Sequence, residues 1–178
     1  MNKLVSVVLI ASVVIASSGS AQQQTRPPAS PTFGASAGGG AGIAIPVGRL
    51  SETNTAGYTF TGLVDFSAAD QPYSFRGEVM YQHYDRKRTT AGTTTKNILS
   101  FGAALLARSN VGASSGSVIG GIGIYRPTDE GTKPGLNAGV GLEVPLTFFI
   151  GIAEIRAHWV MTEGRPAVTL PITLGARF

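Results

Sequence analysis

From Phe33 to Phe178 the chain keeps to one rule: apolar residues alternate with small or polar ones in short segments, with turn-forming residues between segments. A period of two sends alternate side chains to opposite faces of a strand, and segments of about ten residues match strands tilted across a bilayer. The last segment shows this most cleanly. Val168, Leu170, Ile172, Leu174, Ala176 and Phe178 share one face, while Thr169, Pro171, Thr173, Gly175 and Arg177 share the other. Such a strand suits a wall between lipid and a polar interior.

Eight segments can be drawn: Phe33 to Pro46, Gly57 to Phe66, Tyr73 to Tyr84, Asn97 to Arg108, Ser117 to Arg126, Leu136 to Val144, Phe148 to Met161 and Val168 to Phe178. Ile119 blurs the alternation of the fifth. The pattern predicts an all-β, eight-stranded, antiparallel up-and-down transmembrane β-barrel over 33–178. An even count puts both termini on the periplasmic side. Val47–Ala56, Asp85–Lys96, Pro127–Gly135 and Thr162–Pro166 become outer loops; Ser67–Pro72, Ser109–Gly116 and Pro145–Thr147 become inner turns, of which Ser109–Gly116 is unusually long.

Residues 1–21 are expected to be an export signal: Lys3 is followed by apolar Leu4 to Ile15, and Gly19-Ser20-Ala21 offers a cleavage site. The apolar run falls short of the roughly 20 residues of a spanning helix. A Pro-rich linker, 22–32, follows. With no cysteine there is no disulfide, thiolate metal site or lipoprotein anchor. Charged residues make up 13% of the chain and glycines number 24. Few charges and many small residues suit a greasy exterior around a narrow interior, and the expected location is the cell outer membrane. A formal net charge of +4 is too small for a nucleic-acid partner.

The alternation points Asp65, Arg76, Glu78, Arg108, Glu143, Glu154, Arg156 and Arg177 inward, four acids and four bases. A basic side chain facing lipid near the midplane costs roughly 2–4 kcal/mol, which explains its exclusion from that face. Inside, opposite charges can pair, so a lumen closed by an ionic network is expected. Eight strands leave an interior that side chains can fill. Aromatic residues fall near the segment ends: Phe33, Phe66, Tyr73, Phe75, Phe149 and Phe178 at one rim, and Tyr58, Phe60, Tyr81 and Trp159 at the other. Two such girdles anchor a barrel at the bilayer interfaces.

Four stretches carry a family resemblance: Ile45-Pro46-Val47-Gly48-Arg49-Leu50-Ser51 after a Gly-rich opening, Gly120-Gly121-Ile122-Gly123-Ile124-Tyr125, Gly135-Leu136-Asn137-Ala138-Gly139-Val140-Gly141, and the closing Leu174-Gly175-Ala176-Arg177-Phe178. In this order the chain resembles the small outer-membrane β-barrel domain proteins, the OmpX-like and opacity-protein-like eight-stranded barrels. The resemblance implies insertion by the outer-membrane assembly machinery, which would read Val168, Leu170, Ile172, Leu174 and Phe178. It implies no single activity, since members include adhesins, immune-evasion proteins and structural barrels.

Catalysis is not expected. His83 and His158 are the only histidines, and neither begins the His-x-Ser arrangement of the lipid A deacylase barrels. Gly38-Gly39-Gly40-Ala41-Gly42 is not followed by the helix a phosphate loop needs. Asp129-Glu130 is a weak calcium candidate without a third acidic ligand, and neither cofactor nor metal is expected. Arg86, Lys87 and Arg88 form a basic loop patch that could meet lipopolysaccharide phosphates. The expected protein is a monomeric wall protein whose outer loops contact outer-membrane lipid, lipopolysaccharide or a surface. A small conducting pore and a soluble periplasmic ligand-binding barrel are the alternatives.

Overall fold

The computed structural model describes residues 33–68, 71–87, 95–128, 130–162 and 164–178; the expected export signal and linker lie outside them. Eight strands follow in order: β1 (Phe33–Val47), β2 (Gly57–Ala68), β3 (Tyr73–Tyr84), β4 (Lys96–Val111), β5 (Ser114–Pro127), β6 (Lys133–Pro145), β7 (Ile150–Val160) and β8 (Ala167–Arg177). Each pairs antiparallel with its sequence neighbours, and β8 pairs with β1 to close the barrel. This is the predicted fold.

The ladder fixes the stagger. From Ser36 the partners run Asp65, Arg76, Ala104, Gly121, Asn137, His158 and Thr169, returning to β1 at Pro46, ten residues beyond the start. Such an offset tilts every strand and closes the wall without an edge. The seam depends on bare backbone: a Cβ on Gly42 would lie 1.9 Å from the Ile172 carbonyl oxygen. Beyond β8, Phe178 continues the seam, its N–H donating to the Ala37 carbonyl at 2.9 Å and its carbonyl accepting from the Ala37 N–H at 3.2 Å.

Two expectations about connections are corrected, and one loop holds an element that the alternation does not show. The long turn at Ser109–Gly116 is absent, because Ser109, Asn110 and Val111 pair with Gly116, Ser115 and Ser114. Gly112 and Ala113 alone make the turn, with Gly112 at φ +64°, a conformation that favours glycine. Backbone pairing outlasts the apolar pattern here, so alternation of side chains ended the strand too early. Next, β7 begins at Ile150 and not at Phe148. The Leu146 N–H donates to the Phe149 carbonyl at 2.9 Å, which places Phe149 in the turn, where its ring lies 6.0 Å from that of Phe178. Finally, the first long loop contains a helix, α1 (Arg49–Thr53).

The barrel's outer surface is apolar. Phe60, Phe66, Phe101, Ile122, Val140 and Leu174 each expose more than half of their surface, while Asp65, Arg76, Glu154 and Arg156 are buried inside. A soluble ligand-binding barrel needs the reverse arrangement. Contiguous apolar wall of this extent belongs in lipid. Ile119, which blurred the fifth segment, keeps the alternation and points inward with only 1% exposure.

Candidate functional site: the lumen and its outer mouth

The structure brings all eight inward charges into one connected network. Arg76 grips Asp65 with two bonds, Nε to Oδ1 at 2.6 Å and Nη2 to Oδ2 at 3.0 Å, and its Nη1 donates to Glu154. Arg156 carries the chain onward, with Nε 3.5 Å from Glu154 and Nη2 2.7 Å from Glu78. Below, Arg108 donates to Asp65 and to Glu143, each at 3.0 Å, and also to the Ser74 hydroxyl. Arg177 completes this end, with Nη2 2.5 Å from Glu143 and Nη1 donating to Ser36 Oγ at 3.0 Å. Four acids against four bases leave no net charge. Two-pronged arginine contacts of this kind are the strong form of ion pair.

Glycine placement explains how such long side chains fit. Gly139 pairs across the ladder with Arg156, Gly141 with Glu154 and Gly102 with Glu78. A Cβ on Gly139 would lie 2.5 Å from Arg156 Cγ, and one on Gly141 would lie 3.2 Å from Glu154 Cγ. Each of these charged chains therefore lies across the bare backbone of its partner, since an eight-stranded lumen has no width for two side chains at that level.

Toward the opposite end the lining changes. Above the charges lies a buried neutral belt: Thr59, Gln82, Asn137, His158 and Thr169. The Tyr84 hydroxyl donates to Gln82 Oε1 at 2.6 Å, and the Tyr125 hydroxyl lies 2.9 Å from His158 Nδ1. The mouth is closed by an apolar cluster of Ala44, Leu50, Tyr84, Ile98, Tyr125 and Val160, with Ala167 against it. Leu50 arrives from α1. That short helix is anchored by the Asn54 side chain and backbone N–H groups, both donating to the Leu50 carbonyl at 2.9 and 3.1 Å. A second apolar group, Ala104, Leu106 and Ile119, packs inside the wall near the two-residue turn.

The sequence reading missed this cap. Tyr84, Ile98 and Val160 stand at inward positions at the loop ends of β3, β4 and β7, so parity alone could have found them. Leu50 could not be found that way, because α1 is a single turn inside a loop. His158 belongs to the neutral belt and makes no bond to the ionic network. His83 lies at the rim, stacked on Tyr58 with ring centres 4.6 Å apart and with Nδ1 2.7 Å from Asn97 Oδ1. In the basic patch, Lys87 donates to the Ser51 carbonyl at 2.6 Å and Arg86 bridges to Asn54 through its backbone; Arg88 lies outside the described residues. Asp129 is also outside them, and Glu130 pairs with Lys96 at 3.2 Å. Among the described residues, no three His, Asp or Glu side chains gather as a metal site.

A closed antiparallel barrel of eight strands, with lipid-facing apolar walls, aromatic rims and inward charges, is a transmembrane barrel of the outer-membrane class. In that class the short turns face the periplasm and the longer loops face outward, which puts the start of β1, the end of β8 and the ionic network at the periplasmic end and α1 at the outer mouth. The sequence matches no known family model and no curated protein. Among solved structures, neisserial surface protein A superposes with a TM-score of 0.61 at 15% identity, over 82% of this chain and 97% of that one. The outer-membrane protein Ail of Yersinia pestis, solved in a phospholipid nanodisc, superposes at 0.51 and 15% identity, over 82% of this chain and 99% of the other. At these identities the likeness is one of fold, and it is the fold that the sequence resemblance implied.

Proposed function

We propose that the protein is a non-catalytic, monomeric wall protein of the outer membrane, with a sealed lumen and a role exercised at its outer face. The ionic network carries this reading. Its arginines and carboxylates contact each other directly, whereas a conducting pathway needs them spaced apart and hydrated. The loop bearing Arg86, Lys87 and Arg88 is proposed to meet phosphate groups of lipopolysaccharide, and the last strand to be the segment read during assembly. Conductance in a planar bilayer tests the seal. The expected trace shows no steady open state; a stable unitary conductance would overturn the closed lumen and establish the pore instead.

A further inference from the structure

The lipid-facing side of the strands carries no Asp, Glu, Lys or Arg at any described outward position except Arg126. Arg126 is exposed and makes no ion pair with any described residue. It lies in an outward row that runs Phe60, Tyr81, Leu99, Arg126 across β2 to β5. One step nearer the outer surface the row is Tyr58, His83, Asn97. The two rows mark the level where hydrocarbon gives way to headgroups, because aromatic and polar side chains replace aliphatic ones there.

A snorkelling arginine at this level needs no partner, since the cost of a charge falls to about 0–1 kcal/mol near the interface. The surroundings of Arg126 go further. It borders a surface recess of about 480 Å³, together with Tyr81, Asn97, Leu99 and Thr128. Asn97 Oδ1 is occupied by His83, so its Nδ2 remains as a donor. Thr128 fixes the floor, its backbone N–H donating to the Asn97 carbonyl at 2.9 Å. Glu130, the one acid among the described residues that line the recess, pairs with Lys96 at 3.2 Å. A cationic fork and an amide donor thus border a space whose inner side is Tyr81 and Leu99.

We propose that this recess seats a phosphate of an outer-leaflet lipid headgroup, bound by the Arg126 guanidinium and the Asn97 amide, with the adjoining apolar part of the lipid against Tyr81 and Leu99. Guanidinium recognises phosphate oxygens in two-pronged fashion. The proposal rests on the outer-membrane reading and deepens it, giving the barrel wall a headgroup site separate from the loop patch at Arg86 to Arg88.

The test uses full-length mature barrel folded in maltoside micelles, which contain no phosphate, with amide NMR shifts of Asn97, Leu99 and Arg126 followed during titration. Phosphorylated lipid A should give saturable shifts; dephosphorylated lipid A and inorganic phosphate at matched concentration should give none. Arg126→Gln should weaken binding about tenfold or more, as expected for loss of a charged hydrogen-bond donor. Exchanging Arg86, Lys87 and Arg88 together for Gln should leave these shifts in place. The proposal is overturned if Arg126→Gln binds like the parent, if dephosphorylated lipid A or inorganic phosphate shifts the same amides, or if no saturable shift occurs. Loss of the shifts in the loop variant alone would likewise refute the recess while favouring the loops. Heat-modifiable gel migration in the same micelles reports separately whether each variant is a folded barrel.

Discussion

At the periplasmic end of the lumen, Arg76, Arg108 and Arg177 converge on Asp65 and Glu143. At the outer end, Leu50 packs on Tyr84, Ile98, Tyr125 and Val160 with no charge among them. One region is closed by directional bonds between groups that cannot be left alone, the other by apolar burial from a loop segment. The energetics differ accordingly. Removing one member of a buried ionic set strands its partners, whereas trimming an apolar plug loses burial and leaves a cavity. The periplasmic half is thereby committed to one arrangement, and the outer half can be varied piece by piece.

The sharpest way to break this comparison is Arg76→Met, which leaves Asp65 and Glu154 without their shared cation. A loss of about 3–5 kcal/mol is expected in reversible urea unfolding from micelles. Adding Glu154→Gln, which restores equal numbers of acids and bases while Asp65 keeps Arg108 and Arg177, should recover part of it; failure to recover would mean that Arg76 acts through packing. Next comes Leu50→Ala. Trimming a buried leucine costs about 2 kcal/mol or more. Protease cleavage within 48–56 should accelerate while the barrel keeps its heat-modifiable migration, and a loss of that migration would show that the cap and the wall fold as one unit. The smallest effect belongs to the rim. Lys96→Met breaks the partly exposed pair with Glu130 and should change stability by less than about 1 kcal/mol, less still in high salt. A larger loss would move that pair into the class of the buried network.

Strand number, order and facing were all legible from period-two alternation, because lipid on one side and a narrow lumen on the other leave each position a single choice. The eight inward charges followed from the same parity. Their wiring did not, since which arginine meets which carboxylate depends on the ten-residue stagger, a property of ladder register that no single segment carries. Strand ends were least legible where polar residues continue to pair, as at Ser109 to Gly116. The cap was hidden for another reason: α1 is too short to show a helical period, and Leu50 is buried by where its loop folds.

The glycines that lie beneath Arg156, Glu154 and Glu78 link positions that are distant in sequence. A charge in this lumen and the vacancy beside it form a two-part unit. Gly141→Ala or Gly139→Ala crowds a chain that is itself unchanged, and moving an arginine onto a neighbouring strand requires a glycine to move the opposite way. Rewiring the interior therefore proceeds by exchanges of whole cross-strand pairs, and single substitutions are intermediates that either overfill or empty the level they occupy.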